Sequence, residues 1–423
     1  MVLSSRPITA CSQVFGDCAR LRLQELTRSD IKIYINGRLR NNLLMDPNFG
    51  QEPMRADMLM KLMLDRAEGV FLWVVLAVTN LLRGLANCDT ADELERRLDI
   101  IPPQLEDLYH HMFKELDPLY RIKASRLLQI VLRGRDMDIN LTLLHLSHAD
   151  EDDTRAVLYP NQILPNGDEI VSRERETGTR IFTRCQSLIE VGRSAQMSRP
   201  ILGPGPYDRF LHKSVADFLR WPKIQTELTL LTADTSFNAS LSLLSSTLYL
   251  MKIFETQSVG DSQSRERAIG LILRLAQSAE RANVDITDYI NEFSMLENAT
   301  STRPSHWFWC FPSPLPSFEP THMSKQRREL LLRVWYGLLN NTAKMLAVRP
   351  PSFVNAECPD ILISATSIDR PHSLQSAGDQ QDMLKIVKIL LHSGSDPNPR
   401  VTGPGNMVWE KLLVEVIESK ASQ

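Results

Sequence analysis

The run Val70-Phe71-Leu72-Trp73-Val74-Val75-Leu76-Ala77-Val78 limits what this chain can become more than any other stretch of its 423 residues. A continuous apolar segment must be covered on every side, by protein or by lipid. Extended to Leu82 it takes in Thr79 and Asn80, and it stays short of the ~20 residues that a bilayer-spanning helix needs. The run therefore reads as a deeply buried helix. Met1 to Ala10 lacks a basic region followed by an apolar one, so no signal peptide is expected.

Helical spacing recurs on both sides of this run. Thr27 reads as an N-cap with Asp30 three residues on, and Ile31, Ile35 and Leu39 follow at helical intervals. Pro47 to Pro53 breaks the chain, and one helix is expected from about Ala56 to Arg83. Thr90-Ala91-Asp92-Glu93 is a capping box that opens a short helix through Leu98, ended by Pro102-Pro103. Leu105, Leu108, Tyr109, Met112, Phe113 and Leu116 then form an i, i+3, i+4, i+7 stripe. Further helices are expected over Leu119–Leu132, Phe237–Phe254, Ser264–Ala282 and Lys325–Ala347.

The pattern changes between about 139 and 221. Asp150-Glu151-Asp152-Asp153 has the charge of a cation site, but no EF-hand spacing follows, and it reads as a solvated loop or helix start. Pro160 to Thr179 is expected as a loop and Arg180 to Val191 as a strand. After the Gly/Pro turn Pro200–Pro206, Phe210-Leu211-His212 reads as a second strand. Lys213 to Arg220 then turns helical, with Val215, Phe218 and Leu219 inward. Helices followed by a two-stranded hairpin suggest a winged-helix module. Arg303 to Pro320 is proline-rich without adjacent basic residues from Pro312 to Pro320, and reads as a surface loop. Near the C-terminus, Leu384 to His392 reads as a helix ending at Gly394 before Asp396-Pro397-Asn398. With Ile361–Ala365 as a first helix and Arg370–Gln381 as an insertion, this resembles one ankyrin repeat. It is either the edge of an array or a helical hairpin docked on the preceding domain. The expected fold class is mainly α, with a winged-helix-like α+β module and a C-terminal ankyrin-like hairpin.

A net charge of −3 and a pI near 6.3 give no electrostatic drive toward nucleic acid or anionic membrane, and neither is expected as a partner. Cys11, Cys18, Cys88, Cys185, Cys310 and Cys358 form no CxxC pair and no zinc spacing, so reduced thiols in a cytoplasmic protein are expected, and no metal. The chain contains no GxxxxGK[ST], no GxSxG and no HExxH. Phosphoryl transfer needs backbone N–H groups and a lysine around the phosphates, and a metal that bridges them. No enzymatic activity is expected. His212 has two readings: a core or capping histidine at the start of the following helix, or a ligand-binding group.

Several segments resemble fungal proteins with a NACHT-type switch ATPase domain of the STAND, or NOD-like, class. Val2-Leu3 followed by Ser4-Ser5-Arg6-Pro7 is similar to the final strand and turn of such a domain, whose arginine senses the nucleotide phosphate. Ala67 to Val74, Leu81 to Leu85, Leu94 to Leu98 and Leu105 to Tyr109 resemble the helical segment behind it. Arg184 to Val191 and Phe210 to Val215 resemble an uncharacterised domain that follows NACHT in these proteins. The resemblance implies a signal-transducing protein with an effector, a nucleotide switch and a sensing array. It implies that Arg6 and His212 face nucleotide, with His212 touching the diphosphate of bound ADP from a winged-helix domain.

The expected organisation is a nucleotide-domain remnant over 1–25, a helical post-NACHT subdomain over 26–100 and a winged-helix-like domain over 101–230. A helical domain over 235–350 and the ankyrin-like hairpin over 351–423 follow. Without the P-loop, the chain reads as a truncated, non-enzymatic regulatory or scaffold fragment. It is expected to carry no cofactor of its own and to work through protein partners, full-length NACHT homologues among them. The alternative is a nucleotide-responsive regulator that completes an ATP/ADP site only with such a homologue, when an intact NACHT domain is supplied upstream or in trans. Val14, Phe15, Leu21 and Leu23 would normally pack on a parallel sheet, so 1–25 is expected to be poorly ordered or to dock non-natively.

Overall fold

The computed structural model describes residues 23–40, 42, 53–139, 141–160, 162–185, 188–191, 208–210, 212–257, 262–300, 325–349 and 377–393. Arg6, nearly all of the 1–25 segment, the proline-rich 303–320 stretch and Ile361–Ala365 lie outside the described residues. The chain divides into two compact units, 1–115 and 116–423. Both are built from helices, and among the described residues the only strands are two of three residues each.

The first unit holds α1 (Leu23–Ile35), which runs into a π turn (Asn36–Arg40), then α2 (Pro53–Arg66), α3 (Phe71–Ala86), α4 (Ala91–Ile100) and α5 (Leu105–Lys114). Ile31, Ile35 and Leu39 are buried, as their spacing predicts. The long apolar run becomes α3, which buries Trp73, Val74, Leu76, Ala77, Val78 and Leu81. The Trp73 indole N–H donates to the Pro102 carbonyl at 2.7 Å, so a large ring enters the core with its one polar atom satisfied. Leu108, Tyr109, Met112 and Phe113 of α5 are buried as the stripe requires. Thr90 caps α4 in a full capping box: its hydroxyl accepts from the Glu93 N–H, and the Glu93 carboxylate accepts from the Thr90 N–H at 2.7 Å.

Two expectations fail at the break between α2 and α3. The single helix over Ala56–Arg83 is broken between α2 and α3, where Glu68 and Gly69 take φ values of 45° and 80°. That left-handed geometry cannot continue a helix, and it turns α3 back beside α2. Thr27 is no N-cap, because α1 already begins at Leu23. Its hydroxyl donates instead to the Gly69 carbonyl at 3.0 Å, tying α1 to the break. A local signal in the sequence serves a long-range contact in the fold.

The second unit is assembled on α11. In chain order it contains α6 (Arg121–Asp136), α7 (Leu143–Ala149), a 3-10 turn (Thr154–Leu158), α8 (Gly167–Arg184), β1 (Ile189–Val191) and β2 (Asp208–Phe210). There follow α9 (Lys213–Leu219), α10 (Pro222–Thr232), α11 (Ala239–Gln257), α12 (Ser262–Arg281) and α13 (Thr287–Thr300). The last are α14 (Lys325–Trp335), α15 (Leu339–Ala347) and α16 (Ala377–His392). Residues 240–251 of α11 are all buried, with α6, α7, the 3-10 turn, α12 and α13 packed around them. Its polar side chains are spent inside the core: Ser246 donates to the His145 carbonyl at 2.8 Å and Ser245 to the Thr154 carbonyl at 2.7 Å. Near the end of α11 the Lys252 ammonium lies 2.7 Å from Glu292 of α13.

Between 160 and 191 the sequence reading is corrected. From Gly167 on, the expected loop and the first half of the expected strand form α8, and among the described residues of this stretch the strand is Ile189–Val191. Asn166 caps α8, accepting from the Asp168 and Glu169 N–H groups at 3.0 Å, and the Glu169 carboxylate returns to the Asn166 N–H at 2.8 Å. The buried positions of this helix, Ile170, Thr177 and Ile181, are too sparse for the apolar period to show. The two strands pair antiparallel, Ile189 opposite Phe210. The second strand ends at Phe210, and His212 begins a helix instead of closing a strand. Val215, Phe218 and Leu219 of that helix are buried as expected.

The helix expected over Lys325–Ala347 is two, separated at Gly337, whose φ is 68°. The last helix starts at Ala377, inside the segment expected as an insertion, and contributes Ile386 and Leu390 to a core with Leu330, Leu331, Val334 and Leu346.

Gly84 marks the closest approach of α4 to α3. A Cβ there would stand 2.6 Å from Leu94 Cδ2 and 2.8 Å from both Arg97 Nε and Asp89 Oδ2, an ion pair lying over the helix. Gly84→Ala is expected to destabilise the chain by about 1–3 kcal/mol through overpacking, despite alanine's better helix propensity. Thr27→Val, which removes one hydrogen bond, is expected to cost about 1 kcal/mol. Urea denaturation followed by circular dichroism measures both.

Candidate functional site

His212 stands between β2 and α9 and is the N-cap of that helix. Its Nδ1 accepts from the Ser214 N–H at 3.2 Å and lies 2.8 Å from Ser214 Oγ. Of its two sequence readings, the structure displays the capping one; Arg6 lies outside the described residues, so the two positions are not brought together here. With Nδ1 used as an acceptor, a neutral ring carries its proton on Nε2. A ring protonated on both nitrogens cannot hold this cap.

The acidic turn is exposed at Asp152 and Asp153 and starts the 3-10 turn, as a solvated helix start would, but it is also a crossing point for three helices. Asp150, at the end of α7, is buried, with Arg184 of α8 at 3.5 Å. Lys123 of α6 donates to the Asp150 carbonyl at 3.1 Å and to Asp152 at 2.7 Å. Arg126, almost fully buried, reaches Asp152 and donates to the Glu151 carbonyl at 2.8 Å. Arg173 of α8 meets Glu151 at 3.1 Å, and Asp153 accepts from the Arg155 N–H at 2.9 Å to cap the 3-10 turn. The Lys123 hydrogen bond, with Arg126 behind it, holds the Asp152 carboxyl below its ordinary range. Burial pushes the Asp150 carboxyl up, and the surrounding Lys123, Arg126, Arg184 and Arg180 charges only partly offset this. Each acid thus has a protein partner. Among the described residues, no group of three or more His, Cys, Asp or Glu could hold a metal ion.

Two histidines on α7 extend this junction toward α11. His148 stacks on Tyr249 with centroids 4.2 Å apart and ring planes 5° from parallel. Its Nε2 lies 3.2 Å from Ser245 Oγ, and its Nδ1 lies 3.3 Å from Glu151, at ion-pair distance but outside hydrogen-bond geometry. Serine, histidine and carboxylate in that order have the connectivity of a nucleophilic triad. The geometry is not one: Ser245 is 1% exposed and its hydroxyl donates to the Thr154 carbonyl, away from the base. The chain of contacts serves to join α7, α11 and the 3-10 turn. For Glu151, burial acts to raise the carboxyl, but contacts with His148 and Arg173 outweigh it and hold the group low.

His145 completes a capping box with Thr142: its N–H donates to Thr142 Oγ1 at 3.2 Å and its Nδ1 accepts from the Thr142 N–H at 3.3 Å. Full burial pushes its imidazole down to about 3. The sequence announced only the acid run. The cations that neutralise it are spread from Lys123 to Arg184, and the buried histidines carry no distinguishing spacing.

Residues 115–262 match the model of a domain of unknown function (DUF7791). The matched span starts at the edge between the two units, and it encloses the acidic turn, His145, His148 and His212. It also encloses the segments Arg184–Val191 and Phe210–Val215. No curated protein and no solved structure matches the chain.

His212→Ala is expected to lower stability by about 1 kcal/mol, the worth of an N-cap, whereas His212→Asn keeps the cap and nearly all of that stability. Chemical denaturation of the full chain separates the two variants. For His145 the folded group titrates lower than the unfolded one, so its stability contribution is complete above pH 6.5 and is lost as pH falls toward about 3. The full loss is on the order of 5 kcal/mol. Glu151 and Asp152 lose stability in the same direction at lower pH, while Asp150, whose carboxyl is raised, regains some. His145→Gln retains a capping-box side chain without a titrating ring. Its urea midpoint is expected to fall less steeply with acidification below pH 6.5 than that of the parent.

Proposed function

We propose that this chain is a non-enzymatic regulatory or scaffold module related to fungal NACHT-type switch proteins, and that it acts through protein partners in the cytoplasm. The observation that carries this reading is the junction at His212. An antiparallel strand pair runs into a short helix capped by the one histidine that the resemblance singles out. That arrangement favours a winged-helix reading of 101–230. The acidic turn supports a structural role for the same region, because its charges are engaged by the protein's own lysine and arginines. The packing of α16 on α14 and α15 favours an ankyrin-like hairpin docked on the preceding helices over the edge of an extended array. Among the described residues, no helix is long and apolar enough to cross a membrane.

The second reading, a nucleotide-responsive regulator, is favoured by the cap geometry of His212. With Nδ1 occupied, Nε2–H is the donor that an exposed His212 could offer to a diphosphate oxygen of ADP. Arg6 would add positive charge to a site whose P-loop and metal come from an intact NACHT domain.

The test uses the purified chain with labelled ADP, with and without a P-loop-containing homologue. The scaffold reading expects no ATP turnover and no ADP binding by the chain alone, together with nucleotide-independent association with the homologue. ATP hydrolysis by the chain itself would overturn both readings. ADP-dependent association that is lost in His212→Asn, which keeps the cap, would establish the second reading over the first.

A further inference from the structure

A cavity of about 360 Å³ opens between the turn joining α12 to α13 and the first turns of α15. That volume lies within the ~300–1,000 Å³ typical of small-molecule pockets. Its lining includes Glu280, Asn283, Asp285, Asn340, Ala343 and Lys344. Glu280, 7% exposed, accepts from the Asn341 N–H at 2.8 Å and from the backbone N–H groups of Asn340 and Leu339. These are the donors that every helix leaves unpaired in its first turn, and here a carboxylate from α12 takes them.

The charges around the cavity do not balance. Lys344 donates to Asp285 at 2.7 Å and to Thr287 at 3.2 Å, which commits the pocket's ammonium to its outer acid. Asp285 also accepts from the Thr287 N–H at 3.0 Å. Among the described residues, Glu280 has backbone donors and no cationic side chain at ion-pair distance. Asp382 of α16 adds negative potential, although it is itself engaged by Arg281 at 3.0 Å and Lys385 at 3.5 Å. Buried Arg333 is held on the other side of Asn341, donating to its side-chain oxygen at 2.7 Å and to the Glu329 carbonyl at 3.0 Å. Burial accordingly pushes the Glu280 carboxyl above its ordinary range, with the three backbone donors only partly offsetting it.

We infer that this cavity is a binding site for a compact organic cation, an alkylguanidinium, with Glu280 as its counter-ion and the side-chain amides of Asn283 and Asn340 as neutral acceptors. A planar guanidinium presents several N–H donors at fixed angles and loses less hydration on burial than a compact ammonium. That suits a cavity lined by a buried carboxylate and two asparagines. This site is separate from His212 and does not depend on the proposed function. The same chemistry can arrive as a free guanidino compound or as the arginine side chain of a partner protein.

The experiment is calorimetric titration of the full chain with ethylguanidinium, with neutral ethylurea of the same shape, and with N-acetylarginine methylamide. Saturable ethylguanidinium binding is expected, with no ethylurea binding. Glu280→Gln is expected to weaken binding at least about ten-fold. Because Glu280 also holds α15, Ala343→Phe provides a second variant: it fills the cavity, leaves the carboxylate in place and is expected to abolish binding while thermal unfolding stays cooperative. No saturable binding below about 10 mM, equal binding of ethylurea, or undiminished binding to a folded Ala343→Phe variant would overturn the inference. If the arginine mimic binds more tightly than ethylguanidinium, the source is a partner's arginine; if it binds more weakly, the source is a free small molecule.

Discussion

A helix buried on all sides governs the second unit. Residues 240–251 of α11 are covered on every face, so each polar group they bring inside must meet a partner or forfeit its hydration. Serines meet this requirement at little volume. Ser245 and Ser246 donate to carbonyls of the 3-10 turn and α7, and Ser240 lies 2.8 Å from Ser278 of α12. Because these hydroxyls are short, the neighbouring elements must come close, and their bonds fix where α7, α12 and the 3-10 turn sit on α11. Ser242 Oγ, His145 Nε2 and His148 Nδ1 are buried without a hydrogen-bond partner, places where this pairing is incomplete.

The acidic turn depends on that arrangement. Once α7 is seated on α11, its C-terminal end delivers Asp150 to Asp153 into the angle between α6 and α8, where Lys123, Arg126, Arg173 and Arg184 converge. Four successive acids would repel one another in isolation, and the counter-charges let them serve as a clamp between helices. A charged run that resembles a ligand site in sequence is thus paired with the protein's own cations, even where Asp152 and Asp153 remain exposed. At α15 the arrangement is different: Glu280 closes a helix N-terminus with backbone donors, and among the described residues no cationic side chain lies at ion-pair distance from it.

Much of the first unit was legible because its signals are local. The Thr90 capping box, the stripe on α5 and the apolar run of α3 each act within a few turns of helix. The same local logic misplaced Thr27, since a hydroxyl does not announce whether it will bond its own helix or the Gly69 carbonyl. It also joined α2 to α3, because Glu68 is an ordinary helix former whose positive φ is set by how the two helices fold back on each other. In the second unit, α8 shows few apolar positions and α11 shows no single apolar face. The helix at α8 was therefore missed, whereas the one at α11 was expected over Phe237–Phe254 although its full burial leaves no amphipathic face.

The sequence by itself determined the mainly helical class, the burial of Trp73, Val74 and Leu76–Val78 within the apolar run (though Val70 and Phe71 at its start are exposed), the cap at Thr90 and the inward face of Lys213–Leu219. These follow from spacing and from the properties of single residues. Only the tertiary structure decided that the acidic turn is neutralised and that His145 is held neutral in the core. It also decided that Glu280 lines a cavity and, among the described residues, has no cationic side chain at ion-pair distance. Each of these outcomes depends on groups far apart in the chain, and both burial and charge pairing are set by what packing brings alongside.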